Sequence, residues 1–387
     1  MPPTPRANSL FDKHEATLDE LAGVGRNHQF DAIVDDQDDE RIEVVCRRIN
    51  PKSTGDHDKH IEVPLAKPSR AFYFGDRNLY EQEARRYAGD EKQRTLSMDE
   101  FPGNGKVFDE LKRACDRGFV IPFVGAGMSR SAGLPDWRGY LLGKCTAAGI
   151  DQAAMEARLD AGEYEQVMTE IVEKLTTSVF ERDFERDFAT PDEITGPVTL
   201  LPALFDCTVV TTNFDRVLER VYEDEGRAFS EKCSGRGRTD AFFRAIPAGD
   251  RHLLKLHGNI DTPAERILSR QEYDAAYGTP DPDAKDAGNI HMSSPLPKIL
   301  DRLFSSYSLL FLGCSLTADR TIQTFMRVVA NRTAQTMPRH YALLSAPAAA
   351  AKRRLLDQRL ADANITPLWY PSGQHQSVGE ILELLDA

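Results

Sequence analysis

Four separated segments carry side chains that suit a nucleotide site: Gly125-Ala126-Gly127-Met128-Ser129, Thr212-Asn213-Phe214-Asp215, Leu256-His257-Gly258 and Gly313-Cys314-Ser315-Leu316. In the first, small residues let backbone amides approach a pyrophosphate, and a helix starting after the loop favours the anion. Asn213 offers both a donor and an acceptor for a water or a ribose hydroxyl. His257, with an ordinary pKa of about 6.5, suits proton exchange near neutral pH. Asp215 can orient the loop or a ribose. Ser315 has a hydroxyl suited to a ribose contact, with a helix N-cap as the competing reading.

Each segment follows a short apolar run, and those runs are the elements that must position it. Gly118–Val124 reads as a strand buried on both faces, and Cys207–Thr212, His252–Leu256, Ser308–Leu312 and Tyr341–Ser345 repeat the signal. Val107–Arg117 has helical spacing, and so does Ala153–Phe188, within a helical insertion over about 145–200. Alternating strands and helices predict an α/β fold with a doubly wound, Rossmann-like parallel sheet over 106–387. Ligands in such sheets bind outside the carboxyl ends of the strands, where all four segments fall.

Residues 1–105 differ and are expected to form a small α+β accessory module, closed by the turn-rich Pro102-Gly103-Asn104-Gly105. Ser9–Val24 and Asn78–Ala88 read as helices. Phe30–Val34, Arg41–Ile49, Ile61–Leu65 and Ala71–Phe74 read as short strands. The acidic run Asp35–Glu40 reads as a solvated loop. In the C-terminal part, Cys233–Arg238 reads as a mobile loop whose two arginines could meet phosphate, and Asp319-Arg320 as a salt-bridged helix start.

The 387 residues are 41% hydrophobic and 28% charged with a formal charge of −13, which gives no whole-protein footprint for nucleic acid. No direct nucleic-acid binding is expected. The six cysteines, Cys46, Cys115, Cys145, Cys207, Cys233 and Cys314, form no C-x-x-C pair, against a zinc ribbon or a disulfide framework. Met1–Glu15 has no apolar core of a leader, and no stretch reaches the length of a membrane span. A cytoplasmic location without zinc or membrane is expected.

An ordinary dinucleotide fingerprint requires a third glycine at position 130, where Arg130 stands. The stretch Gly125–Arg138, with Gly133-Leu134-Pro135-Asp136-Trp137-Arg138, instead resembles the sirtuin signature of a GAG-x-S loop leading into G-I-P-D-F-R. Thr212–Asp215 resembles that family's T-Q-N-I-D motif, His257-Gly258 its H-G motif, and Gly313–Leu316 its G-T-S-L turn. His375, in Tyr370–His375, resembles a C-terminal H-x-S-V segment. The zinc cysteines of protein-deacylating sirtuins have no counterpart, since only Cys233 lies between Asn213 and His257. Leu254–Ile260 and Leu268-Ser269-Arg270-Gln271-Glu272-Tyr273 are similar to the bacterial sirtuin-like branch, whose members often hydrolyse NAD in anti-phage defence.

The resemblance implies a sirtuin-type fold and NAD as substrate, cut to ADP-ribose and nicotinamide. It assigns catalysis to Asn213, His257 and Asp215, and NAD binding to Gly125, Ala126, Gly127, Ser129, Asp136, Arg138, Thr212, Gly313 and Ser315. It also implies a homo-oligomer or a gating partner such as a HerA-type ATPase or an Argonaute-like sensor, with residues 1–105 as the contact region. Two other readings stand beside it: an NAD-dependent protein deacylase or ADP-ribosyltransferase, and a non-catalytic subunit that binds NAD or a nucleotide as a regulatory ligand.

Overall fold

A computed structural model describes residues 26–36, 46–49, 60–63, 67–237, 239–279, 290–316, 320–332 and 336–386. The expected helix Ser9–Val24, most of the acidic run and the expected strand residues 41–45, 64 and 65 lie outside them, as do Arg238 and Asp319. The chain divides into two units, Met1–Arg94 and Thr95–Ala387, ahead of the Pro102–Gly105 turn where a boundary was expected.

The first unit contains α1 (His28–Asp35), β1 (Cys46–Ile49), β2 (His60–Val63), α2 (Pro68–Gly75) and α3 (Arg77–Thr95). The two strands pair antiparallel. Two expected strands, Phe30–Val34 and Ala71–Phe74, are helical instead. Each is a short apolar run whose period is ambiguous, and the flanking caps decide it. The Asn27 side chain accepts from the Phe30 N–H, and Pro68 occupies the first helical turn, where its missing N–H costs nothing. Phe30, Val34, Tyr73, Tyr80 and Ala84 form a small core, with the Tyr80 hydroxyl donating to Asp31 at 2.8 Å. Asp35 closes α1 rather than opening a solvated loop, and it accepts from both the N–H and the hydroxyl of Ser69 at 2.8 Å.

The second unit runs α4 (Asn104–Asp116), β3 (Val120–Val124), α5 (Trp137–Ala147), α6 (Gln152–Asp160), α7 (Tyr164–Leu175), α8 (Thr177–Asp187), α9 (Leu201–Leu204) and β4 (Val209–Thr211). It continues with α10 (Val217–Asp224), β5 (Glu231–Ser234), α11 (Asp240–Ala248), β6 (His252–Lys255), α12 (Arg270–Tyr277), α13 (Pro295–Ser306) and β7 (Ser308–Leu312). It ends with α14 (Arg320–Asn331), β8 (His340–Ser345), α15 (Ala350–Asp362), β9 (Ile365–Tyr370) and α16 (Ser377–Asp386). The seven strands β3 to β9 form one parallel sheet in the order β5-β6-β4-β3-β7-β8-β9. Cys233 and Ser234, expected in a mobile loop over Cys233–Arg238, belong instead to the edge strand β5 (Glu231–Ser234). Its polar, half-exposed composition lacks the apolar run that marks the inner strands.

Alternation along the strands splits the core between the two faces of the sheet. Ile121, Phe123, Leu309, Phe311, Ala342 and Leu344 pack with α11, α13, α14 and α15 on one face. Val120, Val124, Leu310, Leu312, Tyr341 and Leu343 pack with α4, α10 and α16 on the other. Both faces are therefore covered, as a parallel sheet requires. The insertion α5 to α8 has its own core, where Tyr140, Phe180, Phe184 and Phe188 meet Phe214.

Candidate functional site

The sheet order makes neighbours of four distant segments. β6, β4, β3 and β7 are adjacent and parallel, with Thr211 opposite Lys255 and Val124 opposite both Thr211 and Leu312. Leu256, Thr212, Gly125 and Gly313 thus leave the sheet at one level of its carboxyl edge. The chain winds outward from β3 on both sides, so this edge also holds the topological switch point, the usual ligand crevice of such sheets.

The loops after β3 and β7 interlock through their glycines. The Gly125 N–H donates to Leu312 O at 2.8 Å and the Gly127 N–H to Gly313 O at 2.9 Å. A Cβ on Gly125 would stand 2.7 Å from Gly313 O, and one on Gly127 2.9 Å from Gly313 Cα. Gly313 itself has φ +66°, and a Cβ there would meet Met128 N at 2.5 Å. These two amides are engaged in holding the loops together rather than turned to a pyrophosphate. Among the described residues, the Ala126 N–H is the loop amide that no backbone carbonyl accepts.

Asn213 is buried at the end of β4 and is held on two sides. Its own N–H donates to Thr211 Oγ1 at 3.0 Å, and that hydroxyl donates to Val124 O at 2.7 Å. Its carboxamide Nδ2 donates to Ser129 Oγ at 3.1 Å. Ser129 lies beside the Asp215 carboxyl, which accepts the Val217 N–H at 3.0 Å. This chain fixes the amide so that Oδ1 faces away from Ser129 as an acceptor. Burial pushes the Asp215 carboxyl above its ordinary range, and nearby Lys255 opposes that shift. Thr212 is half-buried, with its N–H 3.4 Å from Val124 O.

Lys255, the last residue of β6, is 2% exposed. Its ammonium donates to Phe214 O at 3.2 Å, to Asp215 O and to Glu219 Oε1 at 3.0 Å. One buried charge therefore ties the Asn213 loop to its own strand and to α10. Nothing in the spacing of Leu254–Ile260 singled it out, although an apolar strand with one central lysine is a signal that a charge must find partners.

His257 lies two residues beyond Lys255, as Asn213 does beyond Thr211, on the neighbouring strand. Its Nε2 is 2.9 Å from the Tyr277 hydroxyl, and its Nδ1 is 3.5 Å from that of Tyr273. The two tyrosines stand one turn apart on α12, with rings stacked at 5.8 Å. Burial pushes the His257 pKa down to about 4, so the ring is neutral at pH 7. Gly258 follows with φ +86°, where a Cβ would meet Glu265 O at 2.4 Å.

Asp136 and Arg138 have local duties. Asp136 caps α5 by accepting the Gly139 N–H at 2.7 Å, and Arg138 donates to Asp160 of α6 at 2.9 Å. Ser315 is exposed, and the next residue, Leu316, takes the left-handed conformation with φ +47°. His375 lies 3.3 Å from the Tyr370 hydroxyl. Arg320, the first described residue of α14, is buried. It donates to Glu165 of α7 at 2.8 Å, to Asp274 at 2.6 Å and to Gly278 O at 3.0 Å. No group of three or more metal-ligating side chains occurs among the described residues.

Residues 207–368 match the family model of the SIR2-like domain, so three of the four segments lie inside the match and the glycine loop lies ahead of it. That stretch resembles a SIR2-like domain. The chain is similar to the NAD(+) hydrolase ThsA of Cytobacillus dafuensis, 26% identical over 189 residues, covering 43% of this chain and 35% of that protein. It is also similar to the NAD(+) hydrolase ThsA of Bacillus cereus (strain MSX-D12), 23% identical over 238 residues, covering 62% of this chain and 45% of the relative. The matches thus span less than half the length of these relatives. The seven-stranded parallel sheet is the Rossmann-like α/β fold expected of a SIR2-like domain, and the sirtuin-like resemblance of the sequence stands. No helix among the described residues is long and apolar enough to cross a membrane.

Proposed function

We propose that this protein hydrolyses NAD to ADP-ribose and nicotinamide at the carboxyl edge of β6, β4, β3 and β7. The observation that carries the reading is the fixed Asn213 amide, pinned through Ser129 with Oδ1 left to accept, at the same level as His257. The relatives named as NAD(+) hydrolases support the substrate.

In the reaction the bond between ribose C1′ and the pyridinium nitrogen breaks. The nitrogen keeps the electron pair, so nicotinamide leaves neutral and needs no acid. C1′ gains oxocarbenium character, water adds there, and one proton is released. The site therefore needs placement and a polar guide more than a strong base. Asn213 Oδ1 accepts from the water and aims its oxygen at C1′. Neutral His257 accepts a hydrogen bond from a ribose hydroxyl or the water. Asp215 acts through Ser129 as a positioning residue. The Ala126 N–H and the rim at Thr212, Gly313 and Ser315 take the phosphate and ribose ends, while Asp136 and Arg138 shape the first turn of the insertion beside them.

The wider setting is proposed on the sequence resemblance: a cytoplasmic effector of anti-phage defence, restrained as a homo-oligomer or by a partner through residues 1–105. The test is purified protein with NAD, alone and with the neighbouring gene's product, with products resolved by chromatography. Nicotinamide and ADP-ribose are expected in equal amounts. Asn213→Ala should slow their release about 100-fold, the scale of losing one organising polar group. If Asn213→Ala and His257→Ala both match the wild type, the mechanism is wrong.

A further inference from the structure

The geometry points to Tyr277 as the residue that positions His257, holding its proton on Nε2 and leaving the Nδ1 lone pair for the reacting groups. This deepens the NAD-hydrolase reading and rests on it for its kinetic part alone.

The argument begins with the two ring nitrogens. A neutral imidazole carries one N–H and one lone pair, and His257 is too deeply buried for water to serve either freely. A buried N–H without a good acceptor is costlier than an acceptor left short. The contact at Nε2 is 2.9 Å and that at Nδ1 is 3.5 Å, so the proton belongs on Nε2. Nε2–H then donates to the Tyr277 oxygen. The Tyr277 hydroxyl also shares a hydrogen bond with Thr321 Oγ1, 3.0 Å away. The relay His257 to Tyr277 to Thr321 crosses from the end of β6 through α12 to α14.

The second nitrogen is the one with a displaceable neighbour. Tyr277 is fully buried, whereas Tyr273 is half-buried and packs edge-on to His257 at 5.3 Å between ring centres. A ribose hydroxyl or a water that moved the Tyr273 hydroxyl aside would find the Nδ1 lone pair. Arg320, the residue before Thr321, fixes the far end of this arrangement. It binds Asp274 on α12 and the carbonyl of Gly278, the residue that caps that helix, and its guanidinium lies 5.6 Å over the Tyr273 ring. Glu165 of the insertion holds the same guanidinium, so α7, α12 and α14 are registered together around His257.

The test uses the full chain with histidine labelled with nitrogen-15, and the His257 signals are assigned by their loss in His257→Gln. The expected spectrum of the wild type, without NAD, is that of the Nε2–H tautomer. Tyr277→Phe keeps the stack on Tyr273 and removes only the relay oxygen. It should give a mixed or Nδ1–H spectrum and a kcat for nicotinamide release lowered about tenfold or more, with KM changed less than about threefold. Thr321→Val should move both readouts the same way and less far. An Nδ1–H tautomer in the wild type overturns the proposal, and so does a Tyr277→Phe variant with wild-type kcat. If the wild type releases no nicotinamide, the NAD reading fails instead, and the tautomer spectra alone decide the role of Tyr277.

Discussion

The Asn213 carboxamide donates to Ser129 Oγ at 3.1 Å, joining the loop after β4 to the loop after β3 across the middle of the sheet. Ser129 Oγ accepts that bond, and the neighbouring Asp215 carboxyl accepts the Val217 N–H at 3.0 Å. Asn213 can turn over only by breaking its bond to Ser129.

Ser129→Ala should therefore loosen Asn213 without removing it. A buried polar group deprived of its partner loses about 1–3 kcal/mol. If that loss is felt in the transition state, nicotinamide release falls about 10- to 100-fold, since about 1.4 kcal/mol is tenfold. Steady-state kinetics on the variant, with NAD binding followed separately, checks it. A kcat within twofold of the wild type would show that Asn213 needs no help from Ser129.

The interlocked glycines give a second prediction, one of stability. Gly313→Ala combines a left-handed φ of +66° with a Cβ 2.5 Å from Met128 N, a backbone atom that cannot yield alone. Gly226→Ala is the matched control, with φ +67° and nothing within 4 Å of the added carbon. The control should cost about 1 kcal/mol, the conformational part, and Gly313→Ala clearly more. A melting series should place Gly313→Ala several degrees below Gly226→Ala, at roughly 2–4 °C per kcal/mol.

Those glycines also illustrate what the sequence could tell. Gly125, Gly127 and Gly313 were legible as a small-residue site because their spacing follows buried strands. Their packing against each other was not, since it joins loops that meet only through the strand order. Asn213 and His257 were legible for the same reason. Tyr277 was not, because its pairing with His257 in the loop after β6 is set by how α12 crosses the edge. The strand β5, Glu231–Ser234, lacked the apolar signal of an inner strand, and β9 carries Pro367, which suits an edge. In the first unit, Asn27 and Pro68 were available as helix-start signals and outweigh the apolar runs that follow them.

The pH dependence of stability follows from His257 and His340. Burial lowers the first to about 4 and the second to about 3. Both are protonated more readily in the unfolded chain, whose histidines titrate near about 6.5. Between about pH 6.5 and pH 4 the unfolded state binds more protons, so stability is full above that window and is lost as pH falls through it. Asp215, raised by burial, acts in the opposite sense. Denaturant melts from pH 8 to pH 4.5 should show the midpoint falling on the acid side, and His257→Gln should flatten the slope. Nicotinamide release should show no limb near pH 6.5, because His257 is already neutral there. A kinetic step at pH 6.5 that His257→Gln abolished would contradict the burial.

The last prediction separates two duties of Lys255. Its ammonium pairs with Glu219 and also holds the carbonyls of Phe214 and Asp215, which carry the Asn213 loop. Lys255→Met leaves Glu219 charged and buried, and breaking one half of such a pair costs about 3–5 kcal/mol. Lys255→Met combined with Glu219→Leu removes both charges and should regain most of that stability. It cannot restore the donor to Phe214 O and Asp215 O. The double variant should therefore melt near the wild type while nicotinamide release stays low, by about tenfold or more, on the scale of about 1.4 kcal/mol for lost alignment of the loop. Recovery of both properties together would reduce Lys255 to a structural charge, and failure to recover either would mean that Glu219 has a partner of its own to satisfy.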